Sequence, residues 1–277
     1  MRDLINEISR HPLRFAAQAF VAFSVLLTIT EGVNFFVPNP QFARPPALGV
    51  ILLVSLGYAL VNMRKPSRVE IEIANSNTVI EVVFGDLFQQ EGIRAIAVNE
   101  FFDSQLGKPV SAKSLHGIFL ARCFGGHPQP FDDQVNTQLN DVGSETVTRS
   151  EGKSQRYPIG TTALIMANSD KYLAFASAKT DIATCKANAD VAVMWVALNE
   201  FWKRARIESG GDPINVPLVG SGLSGVGLPT RDLLNVIVLS VITATKVERV
   251  TERIRIVLSR DRFDEIDLRE AKKYWET

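Results

Sequence analysis

Four glycines, Gly220, Gly222, Gly225 and Gly227, interleaved with Ser221 and Ser224, are the residues of this 277-residue chain whose type and spacing point most directly to chemistry. They sit in VPLVGSGLSGVGLP (216–229), after an apolar run from Ile214 to Val219 and before an apolar, helix-length segment that opens at Pro229. Strand, glycine-serine loop and helix N-terminus together make a cradle for phosphate. Glycines let backbone N–H groups approach an anion and adopt positive φ, and the helix start adds partial positive charge. Gly220-x-Gly222-x-x-Gly225 also matches the dinucleotide fingerprint letter for letter. That unit, however, places its loop after a first strand with further strand–helix units behind it, and here one strand follows. No Lys-Ser/Thr pair closes the loop, so the Walker pattern fails as well.

The remaining reactive side chains form no constellation. Cys123 and Cys185 lie far apart, and His11, His116 and His127 show no ligand spacing, which argues against a disulfide scaffold and a metal centre. The 30 basic and 30 acidic side chains cancel, so the charge total marks no nucleic-acid partner. A reducing, intracellular location fits.

The elements that must position the loop can be read in order. VEIEIA (69–74) alternates apolar and charged residues, and TVIEVVF (78–84) follows a turn cluster, which predicts a hairpin. IRAIAVN (93–99) reads as an interior strand. Ser111 or Ser114 could cap a helix in SLHGIFLARCF. Residues 125–156 read as a loop-rich excursion with one short helix. TTALIMA (161–167) and KYLAFAS (171–177) read as a strand pair, 186–207 as a long helix stopped by Gly210-Gly211, and 214–219 as a strand. A core helix from Pro229 to about Lys246, a strand over 253–259 and a charged terminal helix complete the chain. The fold class expected is α/β, a mixed sheet of about seven strands flanked by helices. Ligands in such sheets sit beyond strand C-terminal ends, where Val98-Asn99, Ser177 and Gly220 fall.

The other end of the chain is different. Residues 15–30 carry no charge, Glu31 interrupts, and GVNFFV continues to Val37. PPALGVILLVSLGYALVNM (45–63) is also free of charge. The proline-rich 37–46 between them cannot stay helical. The reading is a transmembrane hairpin, with helices about 15–37 and 45–63, between a 1–14 N-terminus and a 64–277 ligand-binding domain. Helical rise puts Glu31 about 24 Å from Phe15, near the far interface, where it can reach water. Gly49 and Gly57 share one face of the second span. Arg2, Arg10 and Arg14 precede the first span, and Arg64, Lys65 and Arg68 follow the second. The intervening loop has Arg44 alone, so the positive-inside rule puts both termini in the cytoplasm.

Across 69–267 the chain resembles a macro domain, the ADP-ribose-binding fold. VVFGDLF (82–88) resembles that family's strand ending in Gly-Asp-Ile/Leu. AIAVNEFFDS (95–104) resembles its Ala-Ile-Val-Asn-Ala-Ala-Asn segment. YPIGTTALIMA (157–167) resembles the strand that opens after a glycine, and 216–229 resembles the diphosphate loop. The resemblance implies that Asp86 accepts a hydrogen bond from an adenine amino group, with Leu87 beside it. It implies that Asn99 faces the distal ribose, and that Gly220, Ser221, Gly222, Leu223, Ser224, Gly225, Val226 and Gly227 surround a diphosphate. Two departures stand out. Phe102 occupies the place of a second Asn found in hydrolytic macro domains, and PVSAKSLHG (109–117) replaces a Gly-Gly-Gly loop. Hydrolysis is therefore not expected, since little is left to orient a water. Ser111, Ser114, Leu115 and His116 become candidates for reading a modified ligand.

A membrane hairpin fused to such a domain, with the SLHG segment, is similar to the transmembrane-macro effector subunit of Thoeris anti-phage defence. That resemblance implies a TIR-domain partner that consumes NAD and releases an ADP-ribose-derived signal, ADP-ribose conjugated to histidine. It implies no cofactor, association of several copies on activation, membrane lipid as the target, and an inner-membrane location with the macro-like domain cytoplasmic. The alternatives are a membrane-anchored ADP-ribosyl hydrolase and a passive ADP-ribose-binding tether.

Overall fold

Residues 2–37, 45–222 and 225–276 are described in a computed structural model. The chain divides into two compact units, Met1–Pro66 and Ser67–Thr277.

In the first unit a short helix, α1 (Arg2–Arg10), precedes α2 (Pro12–Phe36) and α3 (Pro45–Met63). Both α2 and α3 are long and apolar enough to cross a membrane, and they pack against each other. Three of their hydroxyls are satisfied inside the helix. Thr28, Thr30 and Ser55 each donate to the carbonyl four residues back, at 2.7–2.9 Å, which removes the cost of an unpaired polar group in hydrocarbon. The buried positions of α3 recur every fourth residue: Ile51, Ser55, Ala59 and Met63. Gly49 and Gly57 are not on that stripe, and no atom lies within 4 Å of where their Cβ would be.

The second unit is built on a mixed sheet. β1 (Arg68–Glu72) and β2 (Val79–Phe84) form the expected hairpin. A 3-10 turn (Leu87–Gln89) leads to β3 (Ile93–Asn99), then α4 (Leu115–Phe124) and α5 (Gln129–Gln138). Next come β4 (Glu145–Thr146), β5 (Gln155–Arg156), β6 (Thr162–Ala167), β7 (Asp170–Thr180) and β8 (Ala187–Asn188). α6 (Val191–Ser209), β9 (Ile214–Pro217), α7 (Thr230–Val247), β10 (Arg253–Leu258) and α8 (Leu268–Trp275) complete it. The strand order is β1-β2-β10-β9-β3-β7-β6, with β8 paired to β7 and β4–β5 forming a separate pair. The inner pairings, from β2 to β7, are parallel, and the two outer ones are antiparallel.

The structure moves several sequence boundaries. α6 begins at Val191 rather than 186, because Asp190 caps it by accepting the Val193 N–H, while 187–188 run along β7. β9 ends at Pro217, not Val219, and β7 continues to Thr180. The 125–156 excursion holds α5 and the small β4–β5 pair. Apolar side chains fill both faces of the sheet. Trp202, Phe201 and Phe175 lie in one cluster, and Phe102, Phe119 and Phe131 in the other.

One polar row crosses this apolar sheet in register. Glu70, Glu81, Arg255, Asn215, Arg94 and Tyr172 are successive partners on six neighbouring strands. Glu81 is 2 % exposed and pairs with Arg68 at 2.9 Å, Arg255 at 3.0 Å and Arg253 at 3.1 Å. Arg255 donates to Asn215 Oδ1 at 2.7 Å, and Asn215 Nδ2 donates to the carbonyls of Glu91 and Ile93. Arg94 pairs with Asp170 at 2.7 Å. A one-residue slip would bury these groups without partners. Glu81→Ala is therefore expected to cost about 3 kcal/mol in urea unfolding, because it removes the buried carboxylate that Arg68, Arg253 and Arg255 share and leaves the largely covered Arg255 without it. Glu70→Ala, at the exposed end of the row, should cost less than about 1 kcal/mol.

Candidate ligand-binding cleft

The C-terminal ends of the parallel strands open onto one cleft of about 1520 Å³. This is more than the range usual for drug-sized ligands and leaves room for a dinucleotide-like molecule. Its walls come from the ends of β2, β3, β9 and β10 with the segments after them, the last part of β7 and the segment after it, and one face of α4. The β3–β7 pairing slips between Val98 and Asn99, so Asn99 faces Ala178 and Ser177 is looped out, donating to the Val98 carbonyl at 3.3 Å. A bulge of this kind opens the sheet end where the cleft begins.

The glycine-serine loop forms the cleft wall over Pro217–Gly222, with Val226. Gly220 has φ +81°, and a Cβ there would stand 2.7 Å from Val226 Cγ2, so only glycine fits. Ser221 Oγ donates to the Leu218 carbonyl at 2.6 Å, and the Val226 N–H returns to the Gly220 carbonyl at 3.0 Å. Gly222 is exposed, with no atom within 4 Å of its Cβ position. Gly225 and Gly227 shape the return of the loop rather than the cleft wall. Leu223 and Ser224 lie outside the described residues.

Asp86 and Leu87 also line the cleft. Asp86 caps the 3-10 turn by accepting the Phe88 N–H at 3.0 Å, and its other oxygen pairs with Arg122 at 2.9 Å. Burial pushes the Asp86 carboxyl up, but the Arg122 and Phe88 hydrogen bonds outweigh it and hold the group below its ordinary 3.8.

Asn99 reaches the cleft wall, but its amide is committed to its own turn. Oδ1 accepts from the N–H groups of Phe101 and Asp103, and Nδ2 donates to Asp103 Oδ2 at 2.8 Å. Asp103 is fully buried. It pairs with Arg149 at 2.9 Å and accepts the Lys153 N–H at 2.7 Å, while the Arg149 guanidinium lies 4.0 Å from the Phe101 ring centre. This network holds Phe102 at φ +50°, a conformation costly for a bulky residue. The Phe102 ring is buried edge-on to Tyr157.

Ser111, Ser114, Leu115 and His116 are brought together at the start of α4 and all line the cleft. Ser114 is the cap: its Oγ accepts the Gly117 N–H at 3.0 Å and donates to the Ser111 carbonyl at 2.7 Å. A Cβ on Gly117 would stand 2.1 Å from the Ser111 carbonyl oxygen, so the turn admits glycine alone. His116 is not a helix-surface residue. It is 6 % exposed, packs against Phe131, and its Nε2 finds no hydrogen-bond partner among the described residues.

Sequence reasoning missed the cations. Lys113, Arg122, Lys186, Arg260 and Arg262 line the cleft, against one acid, Asp86. Arg262 donates to the Ser221 carbonyl at 3.0 Å and to Thr230 and Glu265 at 2.9 Å, tying the loop after β10 to the phosphate cradle. Arg260 and Arg262 follow a strand end, and Arg122 shares a helical face with Leu115 and Ile118. Both were readable signals. Among the described residues no group of three His, Cys, Asp or Glu side chains could hold a metal ion. The arrangement suits an anion, held by backbone N–H groups and a cationic rim.

Burial, and after it the Lys153 charge, lowers the His116 pKa from 6.5 to about 3. Below pH 6.5 the unfolded chain binds a proton that the folded chain refuses. His116 thus favours folding fully above pH 6.5, and that contribution is lost as pH falls towards 3, by about 1.4 kcal/mol per pH unit. In urea unfolding from pH 7 to 5, the wild type should lose stability relative to His116→Leu with that slope as pH falls below 6.5.

No curated protein sequence matches the chain. Solved structures with the same fold include the Oceanobacillus iheyensis macrodomain with MES bound, 14% identical with a TM-score of 0.51, covering 75% of this chain and 96% of that one. The same macrodomain with ADP is 14% identical with a TM-score of 0.51, covering 75% and 95%. A point mutant of it with ADPR is 15% identical with a TM-score of 0.51, covering 75% and 97%. At these identities the likeness establishes the macro fold. The family model described as "Thoeris protein ThsA, Macro domain" matches residues 80–259, from β2 to the end of β10, which includes the cleft-lining residues up to Ser259. The chain therefore belongs to the Thoeris ThsA macro-domain family, a family of anti-phage defence with ADP-ribose-type ligands.

Proposed function

We propose that this protein is a membrane-anchored sensor and effector rather than an enzyme. Its cleft takes an ADP-ribose-derived signal, histidine-conjugated ADP-ribose, released from NAD by a TIR-domain partner. Signal binding drives the macro domains of several copies together, and their hairpins, multi-pass in the inner membrane with both termini cytoplasmic, then disrupt the bilayer and end the infection with the cell. The observation that carries the ligand reading is the Gly220 cradle at the strand ends, faced by Arg260, Arg262, Lys113 and Lys186. A solved relative of the same fold holds ADPR.

Support for recognition over hydrolysis comes from the distal turn. Asn99 spends its amide on Phe101 and Asp103, and Phe102 is a buried ring where a polar group would be needed to orient a water. Support for signalling comes from where the chain enters the domain. The Ser67 carbonyl, at the first residue after the hairpin unit, accepts the N–H of Phe84, and Phe84, Gly85 and Asp86 line the cleft. A ligand that shifts these residues acts one hydrogen bond away from the segment leading to the membrane helices, and can bias an assembly through differential contacts.

Gly222→Glu tests the loop. The position is open, so the fold accepts the side chain, and the carboxylate would face the anion. Calorimetric titration with ADP-ribose and its histidine conjugate should show affinity falling about 100-fold, through like-charge repulsion. Signal-dependent loss of membrane potential in cells should vanish while membrane insertion is kept. Preserved binding would mean that the loop does not hold the anion.

A further inference from the structure

α4 runs along the cleft, and its last turn carries Arg122 to the cleft mouth. There Arg122 Nη1 donates to Asp86 Oδ2 at 2.9 Å, and the guanidinium centre lies 4.8 Å from the centre of the Phe88 ring. All three residues line the cleft. The two charged side chains are 53% and 33% exposed, and ion pairs of that exposure do little for stability. The arrangement does fix an edge. A carboxylate with spare lone pairs and a guanidinium with spare N–H groups stand side by side, the guanidinium held against an aromatic face.

We propose that Arg122 reads the base of the ligand, donating to a ring nitrogen of an adenine whose amino group is accepted by Asp86. The inference rests on the ADP-ribose reading of the cleft. Adenine places its amino donor beside a ring-nitrogen acceptor on two of its edges, with N1 on one and N7 on the other. A carboxylate alone satisfies the amino group and turns its own lone pairs towards that of the neighbouring nitrogen. A carboxylate paired with a guanidinium satisfies both, and the charged donor makes the second bond a strong one. The acid selects the amino group, the arginine selects the nitrogen, and Phe88 keeps the arginine in place.

Calorimetry on the full chain in detergent, with ADP-ribose and its 1-deaza- and 7-deaza-adenine analogues, tests the assignment. The wild type should bind one of the two analogues about 10-fold more weakly than ADP-ribose. Arg122→Met, which keeps the length of the stem and removes the donors, should bind that analogue and ADP-ribose equally. Arg122→Lys should recover part of the discrimination, a result that a purely structural role for Arg122 does not produce. Equal binding of all three ligands by the wild type overturns the proposal, as does discrimination that survives in Arg122→Met. If ADP-ribose and its conjugate fail to bind the wild type at all, the ligand reading itself is wrong, and the base-reading role falls with it.

Discussion

The buried row Glu81–Arg255–Asn215–Arg94 is the constraint on which the rest of the second unit depends. Apolar side chains drive the sheet together but distinguish poorly between neighbouring registers, because parallel interior strands are apolar on both faces. The polar row does distinguish them. Glu81 must meet Arg255, Arg255 must meet Asn215, and Asn215 must reach the carbonyls of Glu91 and Ile93. With the register pinned, the strand ends that supply Phe84, Asn99, Pro217 and Leu258 arrive where their following segments converge on one cleft.

The cleft divides its labour between backbone and side chain. The cradle at Gly220 offers main-chain groups that no side chain obstructs, while the charge comes from residues on other elements. Arg262 joins the two by holding the Ser221 carbonyl. Polar groups that could have served the ligand are instead spent on structure. Asn99 is bound to Asp103, and Asp103 to Arg149, which ties the turn after β3 to the 149–153 segment. His116 stays neutral because its burial outweighs any gain from protonation.

The two long apolar helices follow a different pattern from the domain. Thr28, Thr30 and Ser55 bond within their own helices, which lowers the cost of placing such helices in an apolar surrounding. The domain begins with an antiparallel edge strand, so the chain leaving the hairpin enters at the ligand end of the sheet, opposite Phe84. Had the first strand been parallel to β2, that entry would lie at the far end, remote from the cleft.

Much of this molecule was legible in its sequence. The two charge-free runs, the alternation at 69–74, a serine cap at Ser111 or Ser114 and the glycine-serine loop are patterns between neighbours, and local backbone periods impose them. Four short segments in the right order named the fold. Pairs of two-residue strands, such as 145–146 with 155–156, are too short to carry any period. Helical spacing alone starts α6 too early, because 187–188, which precede its cap, pair with β7. What only the tertiary structure decided is which side chains are spent and which are left for a ligand. Asp86 meets Arg122 across 36 positions, Arg149 meets Asp103 across 46, and Arg262 meets Ser221 across 41. His116 owes its neutrality to burial, which includes its contact with Phe131, and then to the Lys153 charge. Partners and burial are properties of packing between distant segments, and a linear pattern contains no record of them.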